Sequence, residues 1–440
     1  MPIRDRHAAR GLILAALLLA SASPVAAADQ PPVVDLVPYE GAITPVAAEY
    51  LADRLAEAEL RGADAVVIQL DTPGGLDTAM RRIIKDILAA PMPVIVYVAP
   101  PGGRAASAGA YITLAAHAAG MAPGTNIGSA SPVQMGGGQM DSTMARKVTN
   151  DAAAYIASLA RQRGRDEALA RRMVTEAINL TAAEAREAGL VDAVAVSVPA
   201  LLDSLEGRPV VVGEDTVRVA LSGAVLEERP MSTRQQLLKT LVDPNVAYIL
   251  MLLGIYGLFF ELSNPGALVP GILGGICLLL ALFAFQALPI NYAGVGLILL
   301  GVVLLVLEVK VTSFGGLTIG GVAALVLGSL LLFDSAEPWA RVSLRVMIPS
   351  VAIFAGFFVL CVWLVVRGQR RPVVSGPAAL LGERGRVVEP IGGGAAAGKV
   401  VFHGEVWDAV AEAAVPVDAL VEVVEVKGRL AQVRPLGAAG

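Results

Sequence analysis

Between about residues 32 and 225, two kinds of apolar segment alternate along the chain. The segments "VVDLVPYEG", "DAVVIQLDTPGG" and "PVIVYVA" are short and continuous, which is typical of buried strands. Between them, "VAAEYLADRLAEAELRG" and "LDTAMRRIIKDILAA" have the apolar spacing of amphipathic helices, and the first ends at Gly62. This alternation predicts an α/β domain in which right-handed crossovers join parallel strands. Such sheets bind ligands at the carboxyl ends of their strands, so we expect the functional site there.

The pattern changes after residue 225. Residues 226–245 are polar and interrupted by prolines, and we predict that they form a linker. The chain is then predominantly apolar as far as residue 368. Candidate membrane spans cover about 246–262, 267–287, 292–308, 314–333 and 346–366. Each meets or approaches the roughly 20 residues that a helix needs to cross a bilayer, which predicts a multi-pass α-helical membrane domain of about five helices.

Polar character returns in residues 377–440, where glycine turns separate short apolar segments. This pattern predicts a small all-β domain, and a five-stranded barrel of the OB type fits it. A generic β-module fits the pattern equally well. Phe402 and Trp407 are the only large aromatic residues of the segment, so it offers a poor platform for stacking nucleic-acid bases. We therefore expect this domain to contact protein and not nucleic acid.

The amino terminus has the layout of a secretory signal peptide, which we assign to residues 1–28. Its parts are a positive region with Arg4, Arg6 and Arg10, an apolar core over residues 11–20, and a small-residue cleavage site at Ala26, Ala27 and Ala28. An uncleaved membrane anchor is the alternative. Cleavage would leave residues 29–225 as an exported domain, outside the cell membrane.

Composition changes this picture little. The chain is 55% hydrophobic and 17% charged, with a mean hydropathy of +0.65, as expected when much of a protein lies in lipid. A net charge of −5 gives no basic footprint for nucleic acid. Both cysteines, Cys277 and Cys361, lie inside apolar runs and do not indicate a disulfide framework.

The charges that flank the last apolar run bear on topology. With the first domain exported, an odd number of crossings places the carboxyl terminus in the cytoplasm. Arg367, Arg370 and Arg371 follow the last run and agree with the positive-inside rule, whereas Arg341 and Arg345 precede it and disagree. We expect a multi-pass protein of the cell (inner) membrane with a cytoplasmic carboxyl-terminal domain.

Ser107 is the first candidate for chemistry. It lies in "GGRAASAGAYIT", where the strand "PVIVYVA" gives way to a helix. Small residues there, and in the neighbouring loop 72–75, leave backbone N–H groups unobstructed, as an oxyanion hole requires. The N–H of Ala108 lies at the helix start and is a natural donor. A helix N-cap or a small packing residue is the alternative interpretation of Ser107.

A serine nucleophile needs a base. His117 follows Ser107 by ten residues, which is roughly 15 Å along a helix and too far for proton transfer. Arginine cannot deprotonate in a protein, and the exported domain contains only two lysines. Lys85 is explained by a solvated helix face. Lys147 lies at a predicted helix start, where the helix dipole and burial in a cleft would both favour the neutral amine that a general base requires. A surface lysine on an amphipathic helix is the alternative.

Four segments carry a resemblance to a known family. "LDTPGG", "GGRAASAGAYI", "PGTNIGSASPV" and "KVTNDAAAYIASLARQRGR" together resemble the NfeD family of membrane-bound serine proteases, part of the Clp-protease and crotonase-like superfamily and related to signal peptide peptidase A. The resemblance extends over essentially the whole chain. It implies a Ser-Lys dyad with Ser107 as nucleophile and Lys147 as general base. It also implies an oxyanion hole formed by Gly74, Gly75 and Ala108.

The resemblance further implies an ATP-independent endopeptidase that cleaves hydrophobic segments of a stomatin- or flotillin-like membrane protein. A homo-oligomer, either a dimer or a larger ring, is expected for this kind of protease domain. The sequence has no phosphate-binding G-x-x-x-x-G-K-[ST] loop and no metal-ligand spacing, so we expect no cofactor and no metal. Two alternatives remain: a membrane scaffold without catalysis, and acyl-CoA chemistry on a crotonase-like fold.

Overall fold

The computed structural model describes residues 31–133, 141–263, 266, 268–311, 315–333, 335, 337–369 and 380–436. The predicted signal peptide and most of the glycine-rich loop before Lys147 lie outside these ranges. The chain divides into two compact units. Residues up to 307 together with 314–355 form the first, and residues 308–313 together with 356–440 form the second.

The first unit begins with an α/β domain. Its strands are β1 (Val33–Glu40), β2 (Ala65–Asp71), β3 (Val94–Val98), β4 (Arg104–Ala106), β5 (Ala118–Met121), β6 (Asn126–Gly128), β7 (Asn179–Thr181), β8 (Ala193–Val194), β9 (Pro209–Val212), β10 (Asp215–Arg218) and β11 (Val225–Glu228). Its helices are α1 (Pro45–Arg61), α2 (Asp77–Ala89), α3 (Ala108–Ala115), α4 (Ser142–Gln162), α5 (Glu167–Thr175), α6 (Ala182–Glu187), α7 (Val198–Leu205) and α8 (Thr233–Leu241).

A six-stranded sheet organises this domain. Its order is β11-β1-β2-β3-β5-β8, and every neighbouring pair is parallel, which confirms the predicted α/β class. In β2, Val66 and Ile68 belong to the apolar cluster on one face of the sheet, whereas Val67 belongs to the cluster on the other face. All three side chains are fully buried. Burial on both faces explains why these strands are continuous apolar runs with no alternation of polar residues.

The sequence predicts a linker over residues 226–245, whereas the structure forms a strand and a helix over most of this segment, up to residue 241. Strand β11 extends the main sheet beside β1, and the capping box of Ser232 and Gln235 starts α8. The side-chain amide of Gln235 donates to Asp53 of α1 at 3.0 Å. The contacts of β11 and α8 are polar and lie at a sheet edge. They therefore produce no apolar periodicity in the sequence.

The apolar region forms helices α9 (Pro244–Ser263), α10 (Leu268–Ala287), α11 (Tyr292–Lys310), α12 (Gly316–Leu332) and α13 (Leu344–Gln369). In the described part of the chain, two stretches are long and apolar enough to cross a bilayer, Pro244–Leu262 and Leu268–Ala287. Shorter apolar helices cover Tyr292–Glu308, Gly316–Leu332 and Leu344–Leu360. Each of the five predicted runs is therefore helical.

Glycines bring these helices together in pairs. A Cβ atom on Gly257 of α9 would lie 2.7 Å from the Cα atom of Gly274 in α10. A Cβ atom on Gly301 of α11 would lie 2.7 Å from the carbonyl oxygen of Gly321 in α12. Backbones approach this closely only where side chains are absent, so both pairs show the small-residue packing expected of helices in lipid.

The second unit contains the carboxyl-terminal barrel. Its strands are β12 (Arg384–Glu389), β13 (Gly398–Phe402), β14 (Glu405–Val410), β15 (Leu420–Lys427) and β16 (Leu430–Pro435). They close in the order β12-β13-β14-β16-β15, and the pair β14 and β16 is parallel. Val400, Phe402 and Val421 fill the interior. This closed five-stranded barrel confirms the predicted OB-type architecture.

A buried arginine closes the carboxyl end of α3. Arg165 donates to the carbonyl oxygens of Thr113 and Leu114 at 2.9 and 2.6 Å, and it pairs with Asp192 at 3.1 Å. Arg163 donates to the carbonyl oxygen of Ala115 at 2.9 Å. Two guanidinium groups thus satisfy the last carbonyls of the helix, where positive charge is favourable. The helix that begins beside Ser107 is anchored at its far end.

His117 lies just beyond α3 and is a structural residue. Its side chain is 6% exposed, and its Nδ1 accepts a hydrogen bond from the N–H of Val94 at 3.0 Å. Burial, helped by the charge of Arg163, lowers the pKa of His117 to about 3. Val94 begins β3, so His117 lies at the opposite end of the strand from the loop that carries Ser107. The sequence-based exclusion of His117 as the base agrees with this placement.

The depressed pKa of His117 predicts acid sensitivity. In the unfolded chain the imidazole binds a proton near pH 6.5, whereas in the folded protein it stays neutral down to about pH 3. The unfolded state therefore binds more protons, and stability falls with decreasing pH in this window by up to about 1.4 kcal/mol per pH unit. We expect the Tm to fall between pH 6.5 and 4.5, and to fall less in His117→Gln, which retains an acceptor for Val94. Identical pH profiles for the two proteins would contradict this assignment.

Candidate active site

Two sheets hold the backbone at Ser107. Strand β4 pairs with β6 in a small three-stranded sheet, and Ala105 of β4 also bridges to Thr72, which follows β2. The N–H of Ser107 donates to the carbonyl oxygen of Gly128 at 3.0 Å. Helix α3 starts at the next residue. Ser107 therefore lies where the carboxyl ends of β2 and β3 meet, as the sequence predicts for a ligand site.

The backbone of Ser107 is strained. Its φ is 50° and its ψ is −115°, a combination that residues other than glycine rarely adopt. Such strain persists only where the surroundings hold it, and it is concentrated at functional sites. Ser107 occupies the N-cap position of α3, but its side chain makes no capping hydrogen bond. The N-cap interpretation of this serine is therefore not supported, and its hydroxyl remains available to the cleft.

The two glycines of the loop 72–75 play different parts. The N–H of Gly74 donates to the Thr72 hydroxyl at 3.1 Å, so that donor is occupied. The backbone of Ile43 binds the carbonyl oxygen of Gly74 and the N–H of Leu76, both at 2.8 Å. In a parallel bridge of this kind, the N–H of the central residue, Gly75, points away from the partner strand. Among the described residues it has no hydrogen-bond partner.

Gly75 and Ala108 thus provide the two open donors near Ser107. The N–H of Ala108 belongs to the first turn of α3, where helical N–H groups have no partner within the helix. Both residues line the same cleft as Ser107. Gly74 also approaches Ser107, since a Cβ atom on Gly74 would lie 2.8 Å from the Ser107 Cβ. Its part is to leave room for the serine, while its N–H is held by Thr72.

If Gly75 supplies an oxyanion donor, as the family resemblance implies, its replacement by alanine is expected to lower peptide cleavage by about 10²- to 10³-fold. The new Cβ would lie 2.2 Å from the carbonyl oxygen of Ile43, so the loop must move and carry its N–H away. Steady-state kinetics of kcat would measure the loss. Gly296→Ala, at an open helical position of α11, is the control and should cleave normally. Equal losses in the two variants would indicate a general defect of folding.

The cleft at Ser107 has a volume of about 160 Å³ and is mainly apolar. Met80, Tyr111, Ala130 and Ala152 contribute buried surface. The hydroxyl of Tyr111 donates to the carbonyl oxygen of Ala130 at 3.2 Å, which holds the ring in the wall. Burial raises the pKa of Tyr111 above its usual range, so its hydroxyl stays protonated. The cleft can therefore hold an apolar side chain of a ligand next to the two open N–H donors of Gly75 and Ala108.

Lys147 differs from its expected setting. It lies in the second turn of α4, and its side chain is exposed, whereas we expected burial in the cleft. It does not line the cleft, and among the described residues it makes no ion pair or hydrogen bond. Helix α4 begins at Ser142, capped by Asp141, so Lys147 is past the first turn, where the helix dipole has little effect. Lys85 is also exposed, as predicted from its helix face.

An ionic cluster fixes α4 next to the cleft. Arg81 of α2 pairs with Asp77 and with Asp151 of α4, both at 2.9 Å. Its guanidinium also lies 4.3 Å from the ring centroid of Tyr155. Asp151 lies one turn beyond Lys147 on the same face of α4, and Asp77 lines the cleft. Arg81 therefore links the Lys147 face of α4 to the cleft wall.

Two features of the site were missed by the sequence analysis. The sequence analysis gave Arg81 no role, because its partner on α4 is not visible in the sequence. Glu337 was not considered, although it lines the cleft together with Ser107. It follows α12, more than two hundred residues from Ser107, and the acidic pattern around it gives no signal of such a contact.

Comparison with protein-family profiles gives three matches in chain order. Residues 33–198 match the NfeD1b N-terminal domain, residues 245–364 match the NfeD integral membrane domain, and residues 377–435 match the NfeD-like C-terminal, partner-binding domain.

Two curated relatives are similar along most of their length. The chain is 33% identical over 410 residues to the membrane-bound protease PH1510 of Pyrococcus horikoshii, covering 91% of each protein. It is 27% identical over 343 residues to the membrane protein NfeD1b of Bacillus subtilis, covering 74% of this chain and 72% of the relative.

Two solved structures each match less than half of this chain. One is a serine-to-alanine variant of the 1510-N membrane-bound stomatin-specific protease, with 34% identity and a TM-score of 0.44, and it covers 46% of this chain and all of its own. A lysine-to-alanine variant of the same protease, in complex with a substrate peptide, has 33% identity and a TM-score of 0.45, and covers 47% of this chain and 96% of its own.

Proposed function

The chain belongs to the NfeD family and is a membrane-bound serine protease, and on this premise we propose that Ser107 and Lys147 form its catalytic dyad. The observation that carries the assignment is the strained Ser107 between two open backbone donors. The α/β domain up to residue 241 contains three lysines, of which Lys85 lies on an exposed helix face and Lys239 donates to the carbonyl oxygen of Glu40. Lys147 is the third, and Arg81 pairs with Asp151 one turn beyond it on the same helix.

In the proposed reaction, the neutral amine of Lys147 accepts the proton of the Ser107 hydroxyl as Oγ attacks the peptide carbonyl carbon. The carbonyl oxygen becomes an oxyanion that the N–H groups of Gly75 and Ala108 stabilise. Lys147 then returns the proton to the leaving amine, and the peptide C–N bond breaks. Water, deprotonated by Lys147, attacks the acyl-enzyme, and Ser107 recovers its proton as the acid product leaves.

The exposure of Lys147 sets a condition on this reaction. Its side chain must turn from solvent to the cleft when a peptide binds. A peptide in the cleft would exclude water around the amine, and loss of hydration favours the neutral form that acts as a base. We therefore propose that the dyad is completed by the substrate and is not preformed.

The proposed substrate is an apolar segment of a stomatin- or flotillin-like membrane protein. The apolar lining of the cleft, with Met80 and Tyr111, supports an apolar residue beside the scissile bond. The carboxyl-terminal barrel has the family description of a partner-binding domain, and we propose that it binds the same membrane partner. Assembly of the protease domains into a dimer or larger ring is also proposed.

The proposed topology places the α/β domain outside the inner membrane and the barrel in the cytoplasm. Arg367 in the last turn of α13 supports a cytoplasmic end for that helix.

A serine-directed phosphonate probe tests the proposal with the full-length protein in lipid nanodiscs. We expect the probe to label the tryptic peptide that contains Ser107, and a peptide from the apolar segment of a stomatin-like protein to be cleaved and to slow the labelling. Heat-denatured protein is the control and should not be labelled at Ser107. Absence of both labelling and cleavage would favour the scaffold, in which the barrel binds a partner and no peptide bond is broken.

A further inference from the structure

The segment between α12 and α13 reaches the protease domain. Its residues Pro338–Ala340 form a short 3₁₀ turn, and the N–H of Ser343 donates to the side chain of Asn245 at the start of α9 at 2.8 Å. Trp339 and Arg341 line a cavity of about 590 Å³ together with Pro73. Pro73 belongs to the loop that supplies Gly75. This segment of the membrane domain therefore borders the loop that carries an oxyanion donor.

Glu337, in the same segment, forms part of the wall of the Ser107 cleft. Its side chain is only partly exposed, and its N–H donates to the Ser335 hydroxyl at 3.1 Å. The other acid of the cleft, Asp77, is neutralised by Arg81. In the described part of the chain, no basic side chain forms an ion pair with the carboxylate of Glu337.

The surroundings of Glu337 favour a positive ligand. Burial raises the pKa of this carboxyl, and the charge of Arg104 opposes the rise without outweighing it. Arg104 is exposed and belongs to β4, so water screens its effect. A partly buried carboxylate that lacks an adjacent cation is stabilised when a cation enters the same pocket, since charge-assisted hydrogen bonds are stronger than neutral ones.

We propose that Glu337 makes this protease select substrates with a lysine or arginine side chain close to the scissile bond. The inference rests on the proposed proteolysis at Ser107 and adds to it a second recognition element. The apolar wall receives one substrate residue, and Glu337 binds the basic residue of a neighbouring position. One determinant of specificity is thereby contributed by the membrane domain.

The test uses full-length protein in lipid nanodiscs and a panel of apolar peptides. At each position around the scissile bond, the peptides carry lysine, glutamine or glutamate. For one position we expect wild type to cleave the lysine peptide with about tenfold higher kcat/KM than the glutamine peptide, as for one hydrogen bond to a charged group. Glu337→Gln should remove this preference, and Glu337→Lys should favour the glutamate peptide. Glu187→Gln, exposed on α6, is the matched control and should retain the wild-type preference.

Three outcomes would overturn the inference while leaving the proposed function intact. In the first, wild type cleaves peptides with no preference for a basic residue. In the second, Glu337→Gln keeps the wild-type preference. In the third, Glu337→Gln lowers kcat/KM equally for all peptides. The last result would mean that Glu337 acts on the catalytic groups and not on substrate choice. Absence of cleavage by wild type would contradict the proposed function and, with it, this inference.

Discussion

Full-length protein with Ser107→Ala is expected to lose at least about 10⁴-fold in kcat for peptide cleavage and to keep the Tm of wild type. The hydroxyl is the proposed nucleophile, and Ser107 lines the same cleft as the two open donors. Alanine and serine have the same Cβ, so the substitution leaves the backbone strain at φ 50° unchanged. The loss should therefore be chemical and not structural. Mass spectrometry of a cleaved apolar peptide and a thermal unfolding curve would measure both quantities.

The matched control for this variant is Ser158→Ala. Ser158 is an exposed serine of α4 whose hydroxyl donates to the carbonyl oxygen of Tyr155. Its replacement should leave cleavage at the wild-type level. Retention of cleavage in Ser107→Ala would show that the nucleophile lies elsewhere or that a contaminating protease produces the signal.

The second large effect is expected at Lys147. Its replacement by alanine should lower kcat by about 10³-fold, within the range that general acid–base catalysis contributes. Lys147→Arg should be equally impaired, because a guanidinium group stays protonated and cannot accept the serine proton. Steady-state measurement of kcat for wild type, Lys147→Ala and Lys147→Arg on the same apolar peptide would detect the loss.

Lys85→Ala is the control for this experiment, because Lys85 is an exposed lysine of the same domain. It should cleave normally. If Lys147→Ala retained the wild-type rate, Lys147 could not be the base. The surface-lysine interpretation would then hold.

The fold could be predicted from the sequence because its strands and helices have distinct apolar patterns. The strands of the central sheet are buried on both faces, and Gly62 ends α1 in a left-handed conformation that glycine adopts most easily. The elements that escaped prediction, β11 and α8, attach through polar contacts. Asp35 of β1 pairs with Arg229 at 3.3 Å, and a contact between residues so far apart in sequence has no local pattern.

The candidate site was predictable only in part. Small residues around Ser107 predicted that backbone segments approach each other closely there, and the structure has this close approach. The sequence could not distinguish the donors of Gly74 and Gly75, since the difference depends on where the Thr72 hydroxyl lies. Nor could it give the exposure of Lys147, which depends on how α4 packs against the rest of the domain. Glu337 comes from another domain, and only tertiary structure brings it to the cleft.

Helix α12 has a consequence for the lipid in which the protein works. Its 17 residues span about 26 Å, whereas the hydrocarbon core of a typical bilayer is roughly 30 Å thick. This difference is a hydrophobic mismatch, which a membrane relieves by thinning around the short helix or by drawing its ends inwards. Glu337 follows α12 closely in the chain and lines the cleft, so a shift of the end of this helix would move part of the cleft wall. If α12 spans the bilayer, we expect the acyl-chain length of the lipid to alter the rate of peptide cleavage.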